Sequence, residues 1–319
     1  MAIIPNNEQF IGLSASVDTT ERRSALINAQ SQAYTMQDII DTVPGGLGGT
    51  QYVFVMANGT DVENAAELQA AYTTAQTMSP SSSNRITVIA APANYNFSSN
   101  FIMGAEYINL VSLDGNRSIV FNGTATIQIT ANDVFVKGVD VLSKKFTIGD
   151  ALSLLRVENC KGGQYSFDVG VGGTVSGTFT DCTGGNNSFG GYSGFAGGGT
   201  ASGTFTNCTG GDFSFAGAAT ASGVFTNCTG SVYSFGGGGG TASGTFTNCS
   251  AFLFCFGSAG TASGTFTNCT GHTSAFGGGG GILTGKLYYC RLTQGTFITV
   301  SGGGRTVLCI DGNDNQNNQ

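Results

Sequence analysis

The sequence predicts an all-β chain wound as a β-solenoid. Three observations carry that reading: a nine-residue motif recurs, its spacing is near 20 residues, and one offset inside the repeat never changes. Ser-Gly-Thr-Phe-Thr-Asn-Cys-Thr-Gly stands at 202–210 and 263–271. It returns at 243–250 with Ser250, at 176–184 with Asp181, and at 222–230 with Val224. Aligned on cysteine, the repeats place Cys160, Cys182, Cys208, Cys228, Cys249, Cys269 and Cys290 at spacings of 22, 26, 20, 21, 20 and 21. A period of that length is too short for two packed helices and suits one coil of stacked strands.

Each position in the repeat has a physical reason. Gly-Thr-Phe-Thr disfavours helix, while Thr and Phe favour strand. In a strand, Thr204 and Thr206 face one way and Phe205 the other. The inward residue three before each cysteine is Val157, Phe179, Phe205, Phe225, Phe246, Phe266 or Leu287. Stacked at about 4.8 Å per coil, these side chains form a continuous column. The residue before the cysteine is Asn159, Asp181, Asn207, Asn227, Asn248, Asn268 or Tyr289. Asn tolerates a left-handed turn, and its amides can ladder from coil to coil. The cysteine then points inward and opens the next strand. Seven residues after each cysteine stands Phe167, Phe189, Phe215, Phe235, Phe256, Phe276 or Phe297. All length variation falls after that Phe, so one corner of the coil tolerates insertions.

Ahead of the repeats, Gln51–Asp61 reads as a first strand and an Asn-Gly-Thr-Asp turn. Val62–Met78 reads as a helix, capped by Asp61 or a neighbour, with Ala65, Leu68, Ala71 and Tyr72 on its apolar face. Ile86–Tyr95 follows as strand. Irregular strand-length segments come next at Tyr107–Leu113, Arg117–Phe121, Thr126–Ile129, Val134–Val136 and Leu152–Val157. About ten to twelve coils would make a rod about 50 Å long. Together, the repeat and this opening resemble the right-handed parallel β-helix, the pectin-lyase-like fold, in which a helix covers the open end of the core. Residues 1–50 stand apart. Leu26, Ala29, Ala33, Met36 and Ile40 mark a helical stripe, and Pro44-Gly-Gly-Leu-Gly-Gly49 reads as a linker. Four parts are expected: 1–50 as an attachment or oligomerisation segment, or a second cap; 51–150 as β-helix entry; 151–310 as regular coils; and 311–319 as a polar tail.

Composition narrows the function. The chain has 319 residues, 52 of them Gly, and 40 of those lie between Gly162 and Gly304. Collagen would need Gly at every third position and abundant Pro, and only 4 Pro are present. A disordered chain would not carry 40% hydrophobic residues and 23 Phe. Nucleic-acid binding wants a basic stripe, and 12 Lys+Arg face 19 Asp+Glu. No apolar run is long enough for a membrane helix. The opening residues lack the pattern of a signal peptide, which leads to an expectation of assembly in a reducing cytoplasm.

Catalysis finds little support. Carbohydrate-cleaving enzymes use paired carboxylates, or a carboxylate with Lys or Arg. Between Thr174 and Thr284 the only charged residues are Asp181, a turn residue, and Asp212, which stands alone. No catalytic, cofactor or metal residue is assigned. Charges gather earlier, at Asp133, Lys137, Asp140, Lys144, Lys145, Asp150, Arg156, Glu158, Lys161 and Asp168, and read as a solvated face. The single histidine, His272, reads as a surface loop residue. Cys182, Cys208, Cys228, Cys249 and Cys269 read as a column of buried free thiols, because in-register stacking holds their Cβ atoms wider apart than a disulfide needs. Cys255 takes the place of Ser166, Ser188, Ser214 and Ser234 in a small-residue column.

The overall arrangement, an N-terminal anchor before a β-helical body, resembles phage tail-fibre and virion proteins. That resemblance implies a structural, adhesive virion component. It also implies a homotrimer, contacts with other tail proteins through the N-terminus, and contact with a host glycan or protein. Tyr192 and Phe195, in the longest coil, are candidates for surface contact. Two alternatives remain open. One is a polysaccharide depolymerase on the same scaffold. The other is an ice-binding solenoid using the outward pairs Thr178/Thr180, Thr204/Thr206, Thr245/Thr247 and Thr265/Thr267.

Overall fold

A computed structural model describes residues 51–142, 144–170, 172–190, 199–294, 304–311 and 316–317. The N-terminal segment, Phe297, and Tyr192 with Phe195 lie outside the described residues. Within them the chain is predominantly β, with one helix and long stacks of parallel strands, the arrangement of a parallel β-solenoid. It divides into two compact units. The entry unit comprises residues 51–127, 131–142 and 158–161, and the repeat unit comprises 128–130, 144–157 and 162–317.

In the entry unit, strands Gln51–Val55, Ile86–Ala90, Ile108–Ser112 and Phe135–Lys137 pair in parallel. A second parallel set joins Ala93–Tyr95, Ile119–Phe121 and Val139–Asp140. The helix, Asp61–Thr77 (α1), begins one residue earlier than the sequence suggests and packs on the first strands of both sets. Its cap is Thr60, whose hydroxyl accepts from Glu63 N while the Glu63 carboxylate accepts from Thr60 N. This reciprocal capping box satisfies donors that the first turn would otherwise leave unpaired. Asp61 instead accepts from the Asn122 amide at 2.6 Å. The helix buries Asn64, Ala65, Leu68, Ala71, Tyr72 and Ala75. Tyr72 meets Phe101 edge-on at 5.4 Å, and Phe97 stacks on Phe121 at 5.0 Å.

In the repeat unit, the Phe strands Thr178–Thr180, Thr204–Thr206, Val224–Thr226, Thr245–Thr247, Thr265–Thr267, Lys286–Tyr288 and Arg305–Val307 stack in parallel. Equivalent residues pair across each step: Phe179 with Phe205, then Phe225, Phe246 and Phe266. A second sheet stacks Thr174–Val175, Thr200–Ala201, Thr220–Ala221, Thr241–Ala242, Thr261–Ala262 and Ile282–Leu283, with Val175, the Ala residues and Leu283 buried. A third ladder of single bridges runs Thr183, Thr209, Thr229, Ser250, Thr270. It continues as Thr270–Gly271, Arg291–Leu292 and Cys309–Ile310, closed by antiparallel Gln316–Asn317. The residue after each repeat-body cysteine is therefore a one-residue bridge before it becomes a strand.

The core of the repeat unit is two columns of rings. Phe179, Phe205, Phe225, Phe246 and Phe266 stack face to face at 4.8–5.2 Å. Phe189, Phe215, Phe235, Phe256 and Phe276 do the same at 4.7–5.0 Å. The columns meet edge to face; Phe225, for example, is 5.8 Å from Phe215 and 5.6 Å from Phe235. Every one of these rings is fully buried. Each of the second column also sits at positive φ, from 50° to 54°, a backbone region that bulky residues seldom enter. A buried ring held between two copies of itself supplies the compensating energy.

Glycine enforces the close approach of coils at one register. A Cβ on Gly223 would collide with the Gly203 carbonyl oxygen, and one on Gly244 with that of Gly223. Those carbonyls accept the ladder bonds of Val224 N and Thr245 N at 3.0 Å.

Candidate functional surface

The cysteines form an inward column. Cys182, Cys208, Cys228, Cys249, Cys269 and Cys290 are buried and free, and Cys309, unassigned from the sequence, extends the series. Each thiol donates to a backbone carbonyl one coil back: Cys208 to Phe179, Cys228 to Phe205 and Cys249 to Phe225, at 3.3–3.4 Å. In the entry unit, the Cys160 thiol has Glu158 O at 3.3 Å and Val136 O at 3.8 Å. Burial pushes the Cys208 thiol well above its ordinary value and Cys255 up to about 12. Buried and within reach of backbone carbonyls, these thiols pack as small apolar groups with a weak donor. Cys255 lies in the buried small-residue column with Ser166, Ser188, Ser214 and Ser234.

The Asn turn positions have φ of 48–54°, including Asp181 at 54°. Their side chains hydrogen-bond from coil to coil. Asn268 donates to Asn248, Asn248 to Asn227, Asn227 to Asn207, and Asn207 to the Asp181 carboxylate, all at 2.9–3.0 Å. A carboxylate cannot donate, so the ladder ends on Asp181. Asn159, expected in this ladder, is engaged otherwise: it donates to Gly115 O and accepts from the Arg117 guanidinium. Asp212 is not alone either. Its backbone N donates to the Asn186 side chain, and its carboxylate accepts from Val232 N.

Outward from the Phe strands, Thr204, Val224 and Thr245 are exposed and in register, as is Thr178 at the start of the series. Thr180, Thr206, Thr226, Thr247 and Thr267 make a parallel, half-buried file, and Thr265 is half-buried as well. Val224 keeps the shape of Thr while losing the hydroxyl.

A second surface column escaped the sequence reading. Phe213, Tyr233 and Phe254, half-buried, stack at 4.8 and 5.1 Å. Equivalent positions elsewhere hold Tyr165, Asn187 and Ser274, so no repeat signal marks them. Tyr165 carries the Lys145 ammonium 4.9 Å above its ring. His272 is a half-buried loop residue just after strand Thr270–Gly271, packed against Phe252 at 4.7 Å between ring centres.

Several of the gathered charges form ion pairs. In the entry unit, Lys137 meets Glu158 at 2.7 Å, Lys161 meets Asp140 at 3.4 Å, and Arg85 meets Asp133 at 2.7 Å. Burial works to raise the Asp114 carboxyl. Hydrogen bonds from Ser112, Ser118 and Asn116 outweigh it and bring the group below its ordinary value. Asp168, expected on a solvated face, is instead 6% exposed. Desolvation raises its carboxyl to about 6, although the Gly170 and Val169 amides and Lys145 oppose the shift. Its Oδ1 has no hydrogen-bond partner. Among the described residues, no group of three or more His, Cys, Asp or Glu could hold a metal ion, and no helix is long and apolar enough to cross a membrane. Comparison with protein-family profiles, characterised proteins and solved structures returns no match.

Proposed function

We propose that the chain is a structural and adhesive component, a short tail fibre or tail-associated protein of a phage virion, built on a right-handed, pectin-lyase-like β-helix. One observation carries the reading. The interior of the repeat unit is given over to stacked rings and hydrogen-bonded thiols, while its outward positions repeat neutral hydroxyls and amides. The two carboxylates between Thr174 and Thr284 serve as backbone and amide acceptors. Such a body resists unfolding and offers a long, uniform surface. In this proposal residues 1–50 attach the chain or bring three copies together, and the outward surface meets a host glycan or protein. The test combines two readouts on purified protein: its mass in solution, and its retention on host cells. A trimer that adheres supports the reading. A stable monomer that does not adhere overturns it. Release of new reducing ends from host polysaccharide would instead favour the depolymerase.

The in-register Thr face favours one second reading, binding to a periodic surface such as ice. Thermal hysteresis measured on wild type and on Thr245→Lys tests it; freezing at the normal point removes this reading.

A further inference from the structure

Three residues after each column cysteine the chain holds Gly163, Gly185, Gly211 and Ser231, and then Phe252, His272 and Thr293. The early coils leave no room at this register. A Cβ on Gly185 would stand 2.9 Å from Gln164 N, and one on Gly211 would collide with Asn186. The later coils present rings instead. Phe252 is 52% exposed, the one phenylalanine among the exposed large apolar side chains of the described residues. The rings of both repeat columns are fully buried, so an exposed Phe forgoes the burial that stabilises the others.

The neighbouring groups are held in place. The Phe252 and His272 rings are tilted by 40°, forming a shallow wedge. Backbone register is set by His272 N donating to Phe252 O at 3.0 Å. Thr273 Oγ1 donates to Gln294 Oε1 at 3.1 Å and stands 3.0 Å from His272 Nδ1. With its proton committed to Gln294, the Thr273 hydroxyl accepts from Nδ1–H. That fixes the imidazole tautomer and makes Nε2 an acceptor. The Gln294 side chain, oriented by the same bond, has two amide protons to donate and is exposed. An open ring face, one acceptor and a pair of donors are gathered on adjacent coils.

We propose that Phe252, His272 and Gln294 form a binding platform for one neutral pyranose ring of a glycan. The C–H face of the sugar lies on Phe252, one hydroxyl donates to His272 Nε2, and another accepts from the Gln294 amide. This rests on the adhesive reading and gives it a location. Selection by neutral hydrogen bonds plus a ring face fits a hexose better than an acidic or phosphorylated ligand.

His272 is the only histidine, so its ring resonances report on the platform unambiguously. The full chain, labelled at histidine, is titrated with neutral oligosaccharides of glucose, galactose, mannose and N-acetylglucosamine. Host-cell retention is measured on the same preparations. The expected result is saturable movement of the Nε2 resonance with at least one sugar. Affinity falls by about tenfold or more in Phe252→Ala, a loss of about 1.4 kcal/mol, and recovers in Phe252→Tyr. Unchanged circular dichroism of Phe252→Ala ensures that the loss is not unfolding. Resonances that ignore every sugar overturn the platform, as does movement that follows protein concentration alone, which would mark a second copy as the occupant. If the protein adheres to cells and Phe252→Ala adheres equally, the platform fails while the adhesive reading stands. If neither adheres, the adhesive reading itself fails.

Discussion

The entry unit and the repeat unit solve the same packing problem by opposite means. In the repeat unit one solution is copied: Phe on Phe, Asn on Asn, thiol onto carbonyl, with ring spacings within 4.7–5.2 Å. In the entry unit each contact is different. A capping box starts the only described helix, Phe97, Phe101 and Phe121 cluster at varied angles, and ion pairs join Arg85 to Asp133 and Lys137 to Glu158. Repetition makes stability a sum of like terms between neighbouring coils. It leaves little place for charge, since a charge repeated in register would face its own kind. Irregular coils escape that constraint, and the ion pairs Arg85–Asp133, Lys137–Glu158 and Lys161–Asp140 all lie in the entry unit.

The sharpest way to break this contrast is to remove one ring. Phe225 stacks on Phe205 at 4.9 Å and on Phe246 at 4.8 Å. Phe225→Ala should cost about 3–5 kcal/mol in chemical denaturation. Hydrogen-exchange protection should fall in the coils of Phe205 and Phe246 as well as in its own. Leu68→Ala, in α1, should cost about 2–5 kcal/mol, with protection lost only around the helix. If both losses stay equally local, the copied packing is not cooperative in the way the stacking implies.

A pair of carboxylates should next separate the units by pH. Asp168, raised to about 6 by desolvation from an ordinary value of 3.8, favours the protonated form when folded. Its contribution is therefore present at low pH and lost as pH rises through about 6, with a full span of about 3 kcal/mol. Asp168→Asn should remove that loss and stabilise the protein at pH 7. Asp114 is lowered by its three hydrogen-bond donors. Its contribution is present at neutral pH and lost as pH falls below the ordinary carboxylate range. Asp114→Asn should flatten the acid limb while Asp168→Asn flattens the neutral one, both read from denaturation midpoints across pH.

Smaller effects test the turns. Asn227→Ala removes two links of the amide ladder, to Asn207 and from Asn248, and puts Ala at φ 54°; the expected cost is about 2 kcal/mol. Asn227→Gly should cost less, because only the two ladder links are lost. Thr60→Ala, which removes the cap of α1, should cost about 1 kcal/mol.

Much of the repeat was legible because residue chemistry and geometry agreed. Phe between two Thr read as an inward strand residue, and Asn before Cys read as a left-handed turn. The invariant seven-residue offset marked a rigid path, but not its shape. Two residues at positive φ, Phe213 at 54° and Phe215 at 50°, flank Ser214, whose hydroxyl donates to Gly211 O at 2.7 Å. Propensity argues against bulky aromatic residues there, so only tertiary stacking explains them. The Phe213–Tyr233–Phe254 stack was hidden for the opposite reason, since three coils do not make a repeat. Burial of Asp168 was illegible because the sequence offers it amid charges, whereas its register matches Gly190 and Ala216 in the regular coils.

In the proposed function this surface holds a host polymer without cutting it. Incubating the purified chain with host surface polysaccharide, then measuring polymer length by light scattering, addresses this most directly. Bound protein and unchanged polymer length are the expected result. Progressive shortening of the polymer would contradict that function.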